Sequence, residues 1–285
     1  YVFPAAIDFE VVIACAPRPD NTARVRSSVF DETVEFSLGQ ILSDAQAKWS
    51  NYVRAVTQQL IKRNYPVRGY DAVITGNVPL SSGLSSSAAL EVASCLAIET
   101  TNHLTISPVD RAIICQTAEI EFVGVNCGIM DQFVSSNGVK GHALFLDTRS
   151  LAFKPVPLPS NDISIVIGDT NKPRGLVDSE YNNRRAECEE AVTAISQINP
   201  AIHSLRDATM EDLNAARSHM SDTVYRRGRH IITENNRVLA SIGLLEGGDI
   251  HGFGKLMNES HDSLRSDYEV SCFELDTMVN SAREI

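Results

Sequence analysis

The chain lacks paired cysteines at metal-ligand spacing, an excess of basic residues and any apolar run near membrane-spanning length. A membrane helix takes about 20 consecutive apolar residues, whereas the longest apolar stretches here, such as Ile163–Ile167, have the length of a strand. Lys and Arg number 25 against 36 Asp and Glu, a net charge of −11. That balance argues against nucleic acid and anionic membranes as partners, since both require basic patches. It leaves phosphate ligands open, because one helix N-terminus can hold an anion on an acidic protein. The six cysteines (Cys15, Cys95, Cys115, Cys127, Cys188 and Cys272) form no CxxC pair, against zinc or a disulfide framework. Cys15, Cys95, Cys115 and Cys188 sit among apolar residues and are expected to be buried free thiols of a reducing cytosol. Repeats and low-complexity segments are absent, and so is a Walker GxxxxGK[ST] loop. The chain opens on Tyr1-Val2-Phe3-Pro4 without Met or a signal peptide, and is expected to start inside a longer protein.

What is present is ample apolar content, 43% of 285 residues, enough for a substantial core and two modest domains. Val11–Ala16 reads as a strand, with Arg24–Val29 its expected hairpin partner across Pro17–Asn21. Trp49, Tyr52, Val53, Val56, Leu60 and Ile61 recur at helical spacing and predict a helix over Lys48–Asn64. Gly69–Thr75 reads as a strand. Ser107 followed by Pro108 marks a capped helix start running to about Phe122. A short helix is expected through Phe133, then a strand at Ala143–Asp147. Leu151–Ser160 holds three prolines and is the expected domain boundary, giving domains 1–150 and 151–285. Ser164–Asp169 reads as a strand, and the remainder is mostly helical: Ser179–Ile195, Met210–Met220, Arg226–Leu245 and Asp249–Ser266. The class is α+β.

Pro79–Ala89 carries the most chemistry. Gly83 admits torsions that let amides converge on a ligand. Ser85, Ser86 and Ser87 are small and offer hydroxyls and N–H groups at the mouth of the helix that starts with Ala88-Ala89-Leu90. Those features suit a triphosphate, with one hydroxyl for its magnesium, but they also suit an ordinary capped helix. Two carboxylates draw notice farther on. Glu119 stands near the end of the Pro108–Phe122 helix. Asp131, flanked by Ile129, Met130 and Phe133, is expected to be buried, and buried carboxylates are common at active sites. Glu121 reads as a solvated surface charge. Trp49, the single tryptophan, suits either base stacking or core packing. Gly252-Phe253-Gly254 follows no strand and is no nucleotide fingerprint, and the nearby histidines read as structural.

Pro79-Leu80-Ser81-Ser82-Gly83-Leu84-Ser85-Ser86-Ser87-Ala88-Ala89 resembles the second motif of the GHMP kinases, which include galactokinase, homoserine kinase and the mevalonate kinases. Gly124-Val125-Asn126-Cys127-Gly128-Ile129-Met130-Asp131-Gln132-Phe133 is similar to the galactokinase segment with the catalytic aspartate. Ser179–Glu189 and His251–Cys272 look like galactokinases too. The resemblance implies an ATP-dependent, cytoplasmic sugar kinase making galactose 1-phosphate, built from a ribosomal S5 domain 2-like lobe and a ferredoxin-like lobe. By the same match, Ser81, Ser82, Gly83, Leu84, Ser85, Ser86 and Ser87 wrap the phosphates of ATP. Ser87 and Glu119 hold Mg²⁺, Asp131 acts on the C1 hydroxyl as base or electrostatic anchor, and Gly128 and Tyr181 line galactose. Trp49 would lie against the adenine and Ser27 near the nucleotide. No nucleic acid, membrane or obligate protein partner is implied. The family's first motif, with its arginine, and its glycine-rich third motif have no counterpart in these residues. Kinases for N-acetylgalactosamine or arabinose, and a non-catalytic galactose sensor, are the alternatives; the Ser87-Ala88 pair, lost in yeast sensors, favours an enzyme.

Overall fold

A computed structural model of the chain describes residues 1–80, 82–159, 164–172 and 177–284. It is a mixed α and β structure whose contacts separate into two compact units. One comprises Pro4–Lys140 with Thr148–Leu151; the other comprises Tyr1–Phe3, Gly141–Asp147 and Ala152–Ile285.

The first unit is built on strands β1 (Val11–Pro17), β2 (Thr22–Ser27), β3 (Glu32–Ser37) and β4 (Tyr70–Gly76), with helices α1 (Ser50–Lys62), α2 (Ser86–Thr101), α3 (Pro108–Ala118) and α4 (Met130–Asn137). The sheet order is β1-β4-β2-β3. The expected hairpin of the first two strands does not form. β4 inserts between them, antiparallel to β1 with Ile13 opposite Ile74 and parallel to β2 with Val25 opposite Ala72. β2 instead turns into β3, unforeseen in the sequence, with Val25 opposite Val34. Burial explains the exchange: Ala23, Val25, Val34, Phe36, Tyr70, Ala72 and Ile74 all point to one face and are buried. They pack with Val53, Val56 and Leu60 of α1, Val92, Cys95 and Ile98 of α2 and Ile114 and Cys115 of α3. Helical period on one side and alternation on the other meet in a single core. Of the four thiols expected to be buried, Cys95 and Cys115 are, while Cys15 and Cys188 are only partly covered.

Ser107 caps α3 as predicted, its hydroxyl accepting from the Asp110 amide, with Pro108 at the first turn. The helix does not reach Phe122 in regular form. It widens into a π-helical turn over Glu119–Val123, and the amides of Gly124 and Val125 both donate to the Glu119 carbonyl. Gly124 closes that turn at φ +88, a left-handed value that favours glycine.

In the second unit, β5 (His142–Leu146) pairs antiparallel with β6 (Phe153–Pro157), so the proline-rich stretch read as a boundary contains a strand. The helices are α5 (Val177–Ile198), α6 (Met210–Ala215), α7 (Asp222–Glu246), α8 (Ile250–Ser263) and α9 (Phe273–Arg283), the last not predicted. The strand expected at Ser164–Asp169 is absent: those residues are irregular, and Val166 is 88% exposed. The core gathers Ala191 and Ile195 of α5, Leu213 of α6 and Val224 and Ile232 of α7. Gly228 lets α7 approach, since a Cβ there would lie 2.9 Å from Leu213 Cδ1.

Candidate active site

The chemistry expected of the Ser/Gly loop and the two carboxylates depends on three helix ends in the first unit. α2 begins at Ser86, and the residue before it, Ser85, sits in the left-handed region at φ +57 with no capping bond from its own hydroxyl. Left-handed backbone costs a non-glycine residue about 1–2 kcal/mol. The first turn of α2 carries no acidic residue, so its leading amides meet no negative side chain of their own turn. Gly83 is also left-handed, at φ +83. The Ser82 hydroxyl donates to the Pro79 carbonyl at 2.8 Å and braces the loop. Leu84 is half-buried behind Gly83. Ser81 lies outside the described residues.

One side of this loop opens on a cleft lined by Ser27, Phe30, Trp49, Val78, Leu80, Ser86 and Leu90 among others. Ser27 and Trp49, distant in sequence, thus meet Ser86. Phe30 stacks on Trp49 with ring centroids 6.0 Å apart and planes inclined 13°. The Trp49 indole N–H donates to Glu32 Oε2 at 2.7 Å, holding the ring edge-on to β3. The Ser27 hydroxyl accepts from the Phe30 amide at 3.3 Å and shapes the β2–β3 turn. Phe30 and Glu32 carry no motif in the sequence. Only the register of β2 against β3 brings them to the tryptophan.

A cluster of acids lies where α2, α4 and the π-helical turn after α3 meet. Glu91 is fully buried, Gln132 is 1% exposed and Glu119 is 7% exposed. Gln132 Nε2 donates to Glu91 Oε2 at 3.0 Å and to Glu119 Oε2 at 2.6 Å. The Cys127 thiol approaches the same Glu119 oxygen at 3.4 Å, and Ser87 is near enough to favour the charged form of Glu119. Burial pushes the Glu91 carboxyl up to about 9, helped by the charge of Glu119 and offset by the Gln132 bond. Burial likewise raises Glu119, against the lowering effect of Cys127, Gln132 and Ser87. Burial acts on both acids in the same direction and most strongly on the deeper Glu91, which keeps its proton. Burial and the Glu119 charge push the Cys127 thiol up to about 12, so it stays protonated and donates.

Asp131 stands in the first turn of α4, beside Gln132. Its charge is felt by both Glu91 and Glu119. It is half-buried and not enclosed as expected, because Met130 turns outward at 39% exposure and only Ile129 and Phe133 enter the core. Gly128 is exposed, and a Cβ there would meet nothing within 4 Å. Tyr181 belongs to the other unit, on α5, and is 49% exposed. Glu121 points away from the cluster, half-exposed and paired with Lys62 at 3.1 Å. Gln132 and Glu91 were missed in the sequence because a glutamine and a helix-interior glutamate carry no signal until three helices converge.

Residues 51–138 match the GHMP kinases N terminal domain family. Among solved structures, a Lactococcus lactis galactokinase complexed with galactose superposes at a TM-score of 0.94 with 34% identity, covering 99% of this chain and 74% of that one. A mevalonate kinase of L. major in complex with R-mevalonate matches at a TM-score of 0.56 with 18% identity, covering 98% and 73%. The Methanococcus jannaschii mevalonate kinase gives 0.54 and 16%, covering 95% and 74%. The mevalonate kinases share the fold; the likeness to the Lactococcus protein runs through sequence and structure alike, from one end of the chain to the other. On that ground the chain belongs to the galactokinase family of the GHMP kinases and is an ATP-dependent sugar kinase.

Proposed function

We propose that this kinase transfers the γ-phosphoryl group of ATP to the C1 hydroxyl of galactose, giving galactose 1-phosphate and ADP. The observation that carries the proposal is the convergence of Ser87, Glu119 and Asp131 at one place in a chain 34% identical to a galactokinase. The loop from Ser81 to Ser87 and the leading amides of α2 suit the phosphates. The cleft with Ser27 and Trp49 suits the purine, which an indole face and an aromatic neighbour stabilise by stacking. Glu119 and Ser87 are the oxygen donors that fit Mg²⁺, a cation that takes one or two carboxylates and completes its shell with phosphate oxygens and water. Bound there, Mg²⁺ supplies charge neutralisation for the phosphates. Asp131 orients the attacking hydroxyl and takes its proton as the new oxygen–phosphorus bond forms and the bond to ADP breaks. Gly128 lines the sugar beside Asp131 in this proposal.

The enzyme is proposed to work in the cytoplasm without an obligate protein partner, nucleic acid or membrane. Free cysteines suit a reducing compartment, and among the described residues no helix is long and apolar enough to cross a membrane. The test is ADP release from ATP and Mg²⁺ in the presence of galactose, with N-acetylgalactosamine and arabinose in parallel. Galactose is expected to give the highest kcat/KM; a preference for another sugar would move the specificity while keeping the kinase. Asp131→Asn is expected to abolish sugar-dependent release and to retain nucleotide binding measured by calorimetry. An active Asn variant refutes the role of Asp131.

A further inference from the structure

The two hydrogens of the Gln132 side-chain amide face two acids, and its nitrogen also reaches the Cys127 sulfur at 3.9 Å. One goes to Glu91 Oε2 at 3.0 Å and the other to Glu119 Oε2 at 2.6 Å, in surroundings that exclude water. Ser87 and Glu91 lie four residues apart on α2 and so share a helix face. The π-helical turn at Glu119 interrupts α3 where that carboxylate must turn toward them, and such turns recur at functional sites. Within this arrangement Glu91 Oε1 and Gln132 Oε1 are buried without any partner. An apolar core would fill the same space without leaving buried oxygens unpaired, which costs stability. The two side chains therefore cost stability, and what they do in return is hold Glu119.

We propose that Gln132 and Glu91 are positioning residues for the cation: the amide, anchored on Glu91, fixes the orientation in which Glu119 faces Ser87 and a divalent metal. The inference rests on Glu119 as the cation ligand. A carboxylate with one oxygen engaged by an amide and a thiol is restrained in rotation, so it meets an incoming ion without reorganising. Partners of that kind typically change metal affinity 10- to 100-fold when removed. Simple solvation of two buried acids would instead affect folding and leave the metal unaffected.

The measurement is calorimetric binding of a non-hydrolysable ATP analogue to the full chain, with Mn²⁺ and again with a chelator, so that the ratio of the two affinities reports the metal contribution. Gln132→Met, which keeps the volume and removes both N–H groups, is expected to reduce that ratio about 10-fold or more while leaving metal-free affinity unchanged. Glu91→Gln keeps an acceptor oxygen toward Gln132 and is expected to retain the ratio. Glu119→Gln separates the two levels of the argument. If it leaves the ratio intact, the ligand assignment falls and the positioning role with it. If it lowers the ratio while Gln132→Met does not, the positioning role alone falls. Loss of metal-free binding in Gln132→Met, or loss of the ratio in Glu91→Gln, also overturns it. Should Gln132→Met fail to melt cooperatively, Glu91→Met, which removes the anchor of the amide, decides instead: a ratio reduced about 10-fold supports the positioning role and an unchanged ratio overturns it.

Discussion

Glu91 shows how one buried side chain couples the active site to pH. Its carboxyl is raised from the ordinary carboxylate range to about 9, chiefly by burial. Between those limits the folded protein holds a proton that the unfolded chain has released, so stability falls as pH rises through the window. Glu91→Gln stays neutral at every pH. Its melting temperature relative to the parent is expected to rise from pH 5.5 to pH 8.5, by differential scanning calorimetry without nucleotide. A difference that does not change with pH would mean that Glu91 is already ionised in the fold. Charged neighbours on the packed elements, Glu119 and Asp131, act in the same direction by repelling a second negative charge.

At the scale of the element, the start of α2 is decided by Ser85. Its backbone is left-handed, at φ +57 and ψ +41, a conformation that β-branched and bulky residues resist. Ser85→Gly is expected to be near neutral, since relief of strain offsets the greater freedom of the unfolded glycine. Ser85→Val is expected to lower stability by roughly 1–3 kcal/mol in chemical denaturation, because the branched Cβ tolerates that conformation least. Equal stability of the two variants would show that the turn relaxes. The helices themselves were legible: α1, α2, α3, α5, α7 and α8 all follow from apolar spacing, caps and glycines. The short strands were less so. β3, Glu32–Ser37, alternates apolar Val34 and Phe36 with polar residues, but it is brief, and the strand pattern before it, Arg24–Val29, pairs as readily with Val11–Ala16. The pairing of β4 with both β1 and β2 joins residues 47 to 65 positions apart, and no local pattern encodes that.

Across the whole chain, two separate cores are stabilised differently. The first unit rests on an apolar sandwich of sheet and helices. The second adds an ionic knot around Arg227, which is 2% exposed. It donates to Glu187 Oε2 at 2.7 Å, Glu269 Oε2 at 2.6 Å and the Asp267 carbonyl at 2.5 Å, tying α5 and the turn after α8 to α7. Its carboxylate partners keep some contact with water, which reduces the cost of leaving them unpaired. Arg227→Met is expected to destabilise by roughly 2–4 kcal/mol in urea unfolding, toward the lower end of what breaking a buried pair costs. No loss would mean that the apolar core alone holds these helices together. Sequence by itself determined the class of the molecule and most of its helices, because capping and apolar spacing are local properties, while the loop and the acids pointed to a sugar kinase through the resemblance of their motifs. It also singled out Ser87, Glu119 and Asp131. Tertiary structure alone decided the strand order, the outward turn of Met130, the π-helical turn at Glu119 and the partnership of Gln132 with Glu91. Each of those depends on which surfaces meet and exclude water, and that is settled only when distant segments pack.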